Sequence, residues 1–338
     1  MSERSNNQPR VNRRKFLQIL AVAGAAGGLY QFGLLGGSSR DHLVRQSRSL
    51  MGTEINLIVS GPDEDACLQA VQATFNRIEA LSRIFSRHDA TSELAHLNRK
   101  GALPRLSPEL AEVLTLAETI SRGTDGAFDV TVLPLLGLYS RDTLPGDAQL
   151  ADCLRLVDHR KIVRQPQGVS LALPGMGITL DGIAKGYIVD QGVATLKANG
   201  FANVYVEAGG DLMVAGSKPG NQPWRVGVRQ PRPESAETMT VISTTATLAI
   251  ATSGDYMQAF TEDLRNHHIL DPRTGRSPAE LASATITAPT VALADGLATA
   301  AMVLGPERAL AVLKSFDHCE GFFIDKDSRH YRTAGFQG

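Results

Sequence analysis

Asp295 is the only acid in the apolar, alanine-rich stretch Val291 to Leu304, and Thr299 follows it four residues on. Residues four apart on a helix share a face, so a carboxylate and a hydroxyl would project together. Such a pair suits a hard cation such as magnesium, which can complete its shell with backbone carbonyls, waters and phosphate oxygens. The rival reading is an acid that caps or pairs within the core, because a buried carboxylate needs a partner or a raised pKa. A second cluster is Leu180-Asp181-Gly182-Ile183-Ala184-Lys185-Gly186-Tyr187, just after Pro174-Gly175-Met176-Gly177. Small residues at a helix start can receive a phosphate on free N–H groups. Lys185 in the first turn opposes the helix dipole, a placement that makes sense if an anion sits beside it. A surface lysine with Asp181 as a cap is the alternative. The spacing matches neither a P-loop nor a dinucleotide fingerprint.

His267-His268 precede Asp271-Pro272-Arg273-Thr274-Gly275, a tight-turn sequence, so the histidines are expected at the end of a short strand, His268 to Leu270. Neighbouring residues on a strand face opposite ways, and only one imidazole could serve a given site as a base. His88, His96 and His159 offer no spacing for a zinc site, and Cys67, Cys153 and Cys319 are too scattered for a thiolate cage or a disulfide framework. Glu207-Ala208-Gly209-Gly210-Asp211 adds a glycine pair where a ring or phosphate could approach the backbone.

The elements that must hold these residues follow from periodicity. Glu54 to Ser60 alternates as a strand, and Asp63 to Phe85 carries apolar residues at helical spacing. Ser92 and Ser107-Pro108 open two further helices, and Asp147 to Leu154 forms another. Lys161 to Val163 and Val169 to Leu173 read as short strands, Gly182 to Ala198 as a helix, and Ala202 to Val206 and Asp211 to Ala215 as strands. Trp224 to Arg229, Thr238 to Thr244 and Ala246 to Thr252 add strands. The helices Val291 to Leu304 and Pro306 to Ser315 precede a closing hairpin, Phe322 to Asp325 with Arg329 to Arg332. Hairpins mixed with occasional helices, without a regular βαβ repeat, give an α+β class.

The chain has 338 residues, 43% hydrophobic and 20% charged, enough for a sizeable core. Its formal net charge of -1 hides an asymmetry: residues 1 to 40 hold six bases and one acid, leaving 28 bases against 34 acids in the rest. An acidic body argues against a nucleic-acid partner. Arg13-Arg14 with Lys15-Phe16-Leu17, followed by a mild apolar run from Ile19 to Leu35, reads as a twin-arginine export signal, hence a periplasmic protein. An uncleaved leader would leave an inner-membrane anchor.

Taken in chain order, Met51-Gly52-Thr53, Ser92-Glu93-Leu94, Gly126-Ala127-Phe128-Asp129-Val130-Thr131, Asp181 to Tyr187 with Asp190, Ala208-Gly209-Gly210-Asp211, Ser253-Gly254-Asp255, His268 to Gly275 and Ala294-Asp295 with Thr299 form an ordered set. From Leu50 to the C-terminus this set resembles the ApbE-type FAD:protein FMN transferase family. The resemblance implies an ApbE-like α+β fold, with mixed and antiparallel sheets flanked by helices and FAD in a central cleft. It would span residues 45–335, as one body or two packed lobes, after an export signal at 1–40. It also implies a magnesium-dependent enzyme that splits the FAD pyrophosphate, joins FMN through a phosphoester to a Thr or Ser hydroxyl of an acceptor flavoprotein, and releases AMP.

Acceptors in the family include membrane electron-transfer subunits and NosR-type flavoproteins, met in a transient complex. Carried over to this sequence, Asp295 and Thr299, with a backbone carbonyl near Gly182, are the metal ligands. His268 takes the acceptor's proton, and Lys185 offsets charge on the leaving group. Met51, Asp129, Lys185, Glu207, Gly209, Gly210, Asp255 and His268 line or support the FAD pocket. The twin-arginine leader departs from the lipoprotein signal of many members, and no lipobox cysteine is present. Two other readings share the site: an FAD pyrophosphatase giving FMN and AMP, and a non-catalytic periplasmic flavin-binding or assembly factor.

Overall fold

The computed structural model describes residues 41–139, 143–232 and 237–338. The expected export signal at 1–40 lies outside the described residues. In chain order the elements are β1 (His42–Leu50), β2 (Thr53–Gly61), α1 (Glu64–Phe85), α2 (Glu93–Lys100), β3 (Ala102–Leu103), α3 (Pro108–Gly123), α4 (Leu133–Leu136), α5 (Asp147–Leu154), β4 (Ile162–Arg164) and β5 (Val169–Leu171). There follow α6 (Ala184–Ala198), β6 (Asn203–Ala208), β7 (Asp211–Ala215), β8 (Trp224–Arg229), β9 (Thr238–Thr244), β10 (Leu248–Gly254), β11 (Leu281–Ala288), α7 (Val291–Leu304), α8 (Pro306–Leu313), β12 (Glu320–Asp325) and β13 (His330–Arg332).

Eight strands form one sheet in the order β1-β2-β6-β7-β10-β11-β12-β13, with every neighbouring pair antiparallel. A three-stranded sheet (β3-β5-β4) and the β8-β9 hairpin complete the α+β architecture. On one face of the large sheet, α1, α6 and α7 pack over Ile55, Leu57, Val206, Ala251 and Ala284. The other face carries a separate core, in which Trp224, Val226 and Ile242 of the hairpin cover Tyr205, Val214, Ile250 and Ile324. Strands roofed on both sides show no in-out alternation, and Asp211–Ala215 is buried at every position.

Two start signals act as the sequence suggests: the Ser92 hydroxyl accepts from Ala95 N–H at 2.9 Å, and the Ser107 hydroxyl accepts from Leu110 N–H at 3.2 Å, with Pro108 at the first helical position. Asp63, expected within α1, is its cap. Three expectations need correction. Helix α6 begins at Ala184 rather than Gly182, after a turn. His268 to Leu270 is not a strand; an isolated bridge between Ala259 and His267 is the only pairing there, because the Asp271 turn holds this segment in loop geometry. Strands β1, β3 and β11 have no counterpart among the expected elements. Among the described residues no helix is long and apolar enough to cross a membrane. The three cysteines are buried and unpaired.

Candidate functional site

Helices α6 and α7 touch at Gly186, where a Cβ would lie 2.5 Å from the Val291 carbonyl oxygen, so only glycine permits this approach. One turn on, the Asp190 carboxylate accepts from Val291 N–H at 2.8 Å and Ala292 N–H at 2.9 Å, satisfying two orphan donors of α7. Thr290 caps the same end through Leu293 N–H. The helix bearing Asp295 and Thr299 is thereby fixed to the helix bearing Lys185.

Asp295, 3% exposed, accepts from Gly186 N–H at 3.2 Å and lies 3.8 Å from the Lys185 ammonium. Lys185 also donates to Asp211, which is 1% exposed. Burial alone would lower the lysine's pKa, but Asp211 and Asp295 reverse this and hold it above its ordinary value. Burial, and then the neighbouring Asp211, push Asp295 up, while Lys185 pulls back. The anion expected beside Lys185 is thus supplied by the protein's own carboxylates. Two carboxylates against one ammonium leave a negative surplus in a desolvated pocket.

Thr299 sits against Gly182, where a Cβ would come 2.8 Å from its hydroxyl oxygen, and lies 3.3 Å from the Ser253 hydroxyl. A carboxylate in negative surplus, a hydroxyl and an adjoining Cβ-free backbone turn make an all-oxygen donor set of the kind a magnesium ion takes. Among the described residues no group of three or more His, Cys, Asp or Glu side chains could hold a metal, so any cation here must take hydroxyl and carbonyl oxygens as well. Asp181 does not cap α6; it pairs with Arg87 at 3.0 Å.

His268 is anchored by its N–H to the Gln258 carbonyl at 3.0 Å, while its Nδ1 is buried without a hydrogen-bond partner. Burial pushes its pKa down to about 4; Asp181 opposes the shift and Lys185 adds to it, which places the ring in the field of the lysine cluster. His267 differs: it is fully buried, its N–H donates to the Ser277 hydroxyl, and its Nε2 lies 3.3 Å from the Pro278 carbonyl. The two rings do not point to opposite sides as strand alternation would have it: they lie edge to face with centroids 6.4 Å apart, and the Nδ1 of His267 is, like that of His268, buried without a partner. The following turn is closed by Gly275 N–H to the Asp271 carbonyl and tied down by the Tyr139 hydroxyl, which donates to the Gly275 carbonyl at 2.7 Å.

Glu207 works on the backbone. It accepts from Gly210 N–H at 2.7 Å and from the Asn56 amide, which in turn accepts from the Ser47 hydroxyl. Gly209 has φ +58, and a Cβ there would meet Thr53 Oγ1 at 2.6 Å. Glu207 therefore shapes the turn that delivers Asp211 to Lys185. Met51, with φ +55, stands 37% exposed at the β1-β2 turn.

Asp129 accepts from Thr131 and from His159 N–H, and so supports a turn whose Phe128 ring faces Gly182. Asp255, fully buried, pairs with Arg232 at 2.9 Å and with Lys326 at 3.7 Å, which ties three segments together. Asp129 and Asp255 accordingly brace the backbone through these partners. Asp211, Asp190 and Arg232 carry roles that the sequence did not assign.

A family model described as the ApbE family matches residues 51–323. The chain belongs to the ApbE family. Its relatives include FAD:protein FMN transferases of Vibrio cholerae, 30% identical over 80% of this chain and 84% of that protein, and of Treponema pallidum, 30% identical over 90% of each. Among solved structures, the flavin transferase ApbE from Vibrio cholerae superposes with a TM-score of 0.76 at 28% identity, over 88% of this chain and 98% of that one. The ApbE protein of Thermotoga maritima gives 0.79 at 27%, over 87% and 97%.

Proposed function

We infer that this chain is an FAD:protein FMN transferase, which moves FMN from FAD to a hydroxyl of an acceptor flavoprotein. The acceptor Thr or Ser oxygen forms a bond to the FMN phosphorus, the pyrophosphate P–O bond breaks, AMP departs, and the hydroxyl proton goes to an imidazole nitrogen of His268. The observation that carries this reading is the buried Lys185–Asp211–Asp295 cluster with Thr299 and His268 around it. Phosphoryl transfer depends on positioning and charge neutralisation more than on covalent chemistry by the protein. Asp295, Thr299 and a carbonyl near Gly182 would hold magnesium, which when bound supplies charge neutralisation at the pyrophosphate.

Lys185, kept protonated by its carboxylates, offsets charge on the AMP leaving group. His268 is neutral at pH 7 and so able to accept a proton. FAD occupies the cleft beside the Gly209–Gly210 turn, with Met51 at its rim. The domain is residues 45–335, and the leader at 1–40 exports the enzyme by the twin-arginine route to the periplasm. Its acceptors are membrane electron-transfer subunits or NosR-type flavoproteins.

The test incubates the full-length protein with FAD, magnesium and acceptor in water enriched in oxygen-18, followed by mass spectrometry of acceptor, FMN and AMP. Transfer predicts an acceptor heavier by FMN and unlabelled AMP. Labelled FMN or AMP with an unmodified acceptor would make the enzyme a pyrophosphatase instead.

A further inference from the structure

On the sheet face opposite α6 and α7, one cross-strand row runs Arg45–Ile58–Tyr205–Val214 from β1 to β7. The hairpin covers only part of that face, and Trp224 stands at its margin, 5.9 Å from the Tyr205 ring, with its indole N–H fixed to the Ala215 carbonyl at 3.1 Å. Between the hairpin and β1 runs a shallow groove of about 20 Å³, floored by Ile58 and Tyr205 and walled by Trp224. Three cations line it: Arg45, Lys218 and Arg225. Lys218 Nζ lies 5.5 Å from the Trp224 ring centroid.

None of the three pairs with a carboxylate among the described residues, in contrast to Lys185, Arg232 and Lys326. Burial lowers the Lys218 pKa, and Arg45 and Arg225 push it the same way. Like charges gathered without counter-ions, in a body with more acids than bases, are unfavourable unless an anion comes to them. The groove adjoins β1, a strand of nine residues whose outer side has no partner among the described residues. From β1 the Ser47–Asn56–Glu207 hydrogen bonds lead to the glycine turn of the site.

We propose that this groove docks an extended, acidic segment of the acceptor protein, whose carboxylates meet Arg45, Lys218 and Arg225 beside the buried Trp224 ring. The proposal rests on the transferase reading and names how its protein substrate is recognised. An extended segment suits an open edge strand, since main-chain bonds supply affinity and alternate side chains supply selectivity.

The double variant Arg45→Gln/Arg225→Gln removes two exposed charges that no ion pair uses. With the full-length protein, acceptor KM should rise roughly tenfold at low salt, while kcat and acceptor-free FAD turnover stay unchanged. The wild-type KM should itself climb with salt, and the variant's much less. Trp224 is the chain's single tryptophan, so its fluorescence reports the groove directly. A poly-glutamate peptide should perturb it in the wild type and not in the variant. Equal KM in both proteins, or a fluorescence response to phosphatidylglycerol vesicles without one to the peptide, would overturn the proposal. If the wild type transfers no flavin, the transferase reading fails, while the tryptophan titration still decides the groove.

Discussion

Lys185 and Lys218 project on opposite sides of the same eight-stranded sheet, and their surroundings invert one another. Lys185 is enclosed by Asp211 and Asp295 and held above the ordinary lysine value, whereas burial, Arg45 and Arg225 hold Lys218 below it. The first cluster is buried between helices locked by Gly186 and by the Asp190 cap. The second is open, built on a cross-strand row and one hairpin wall. Desolvated charges interact strongly and can act on a reacting phosphate, while exposed ones are screened and act on encounter and selectivity. The contrast assigns chemistry to the helical face and recognition to the hairpin face.

The strongest way to break that division is at Asp295. Asp295→Asn should slow flavin transfer at least about 100-fold and blunt its magnesium dependence, without loss of thermal stability, because burial and Asp211 already disfavour this carboxylate. Near-normal turnover at low magnesium would move the cation site elsewhere. The histidine pair offers the next test. His268→Ala should slow transfer by roughly 10²-fold and leave FAD affinity within a few-fold, read by intact mass and by fluorescence quenching. His267→Ala should instead lower the melting temperature, since its ring is packed and bonded in the interior. Equal rate losses in the two variants would mean that the loop, rather than one ring, had been damaged.

A smaller effect belongs to Asp190, whose carboxylate burial raises to about 6 in the folded protein. A carboxyl with a folded pKa above its unfolded one contributes stability below the unfolded pKa and loses that contribution as pH rises through the folded one. Wild-type stability should therefore decline by on the order of 1 kcal/mol from this group between pH 5 and pH 7. Asp190→Asn should lack that component in urea unfolding at the two pH values. It should also lose one bond of the α7 cap, at about 1 kcal/mol. The smallest effect is expected in the groove, where Arg225→Gln should leave the melting temperature unchanged or slightly higher, because it relieves repulsion among cations. A marked drop would show that Arg225 braces the hairpin.

What the sequence made legible was local. Serine caps, proline at the first turn and helical spacing placed α1, α2, α3 and α7 within a residue or two, because those signals act over a few positions. The solitary acid of α7 stood out for the same reason. Strand β11, LASATITA, did not, since burial on both faces removes its alternation and alanine is a weak strand signal. Edge strand β1, HLVRQSRSL, carries too many polar side chains to read as a buried strand.

Lys185 was recognised as seeking an anion, but the partner is 26 residues away on β7 and is delivered by the Glu207 turn, which no local pattern encodes. The Arg232–Asp255–Lys326 brace joins residues distant in the chain, so the partners through which Asp255 is held were not legible in the sequence. Strand alternation does not separate His268 from His267: the segment is a loop, and the two rings lie edge to face, so what distinguishes them is burial and hydrogen bonding rather than strand face.

The most direct test of the division between the two faces is intact-mass analysis of one acceptor treated with FAD and magnesium by wild type, Asp295→Asn and Arg45→Gln/Arg225→Gln, each at limiting and at saturating acceptor. The account predicts full FMN attachment by wild type at both concentrations, almost none by Asp295→Asn at either, and a deficit in the arginine variant that disappears at saturation. A deficit in Asp295→Asn that saturating acceptor repairs, or one in the arginine variant that it does not, would contradict the assignment of chemistry to one face and recognition to the other.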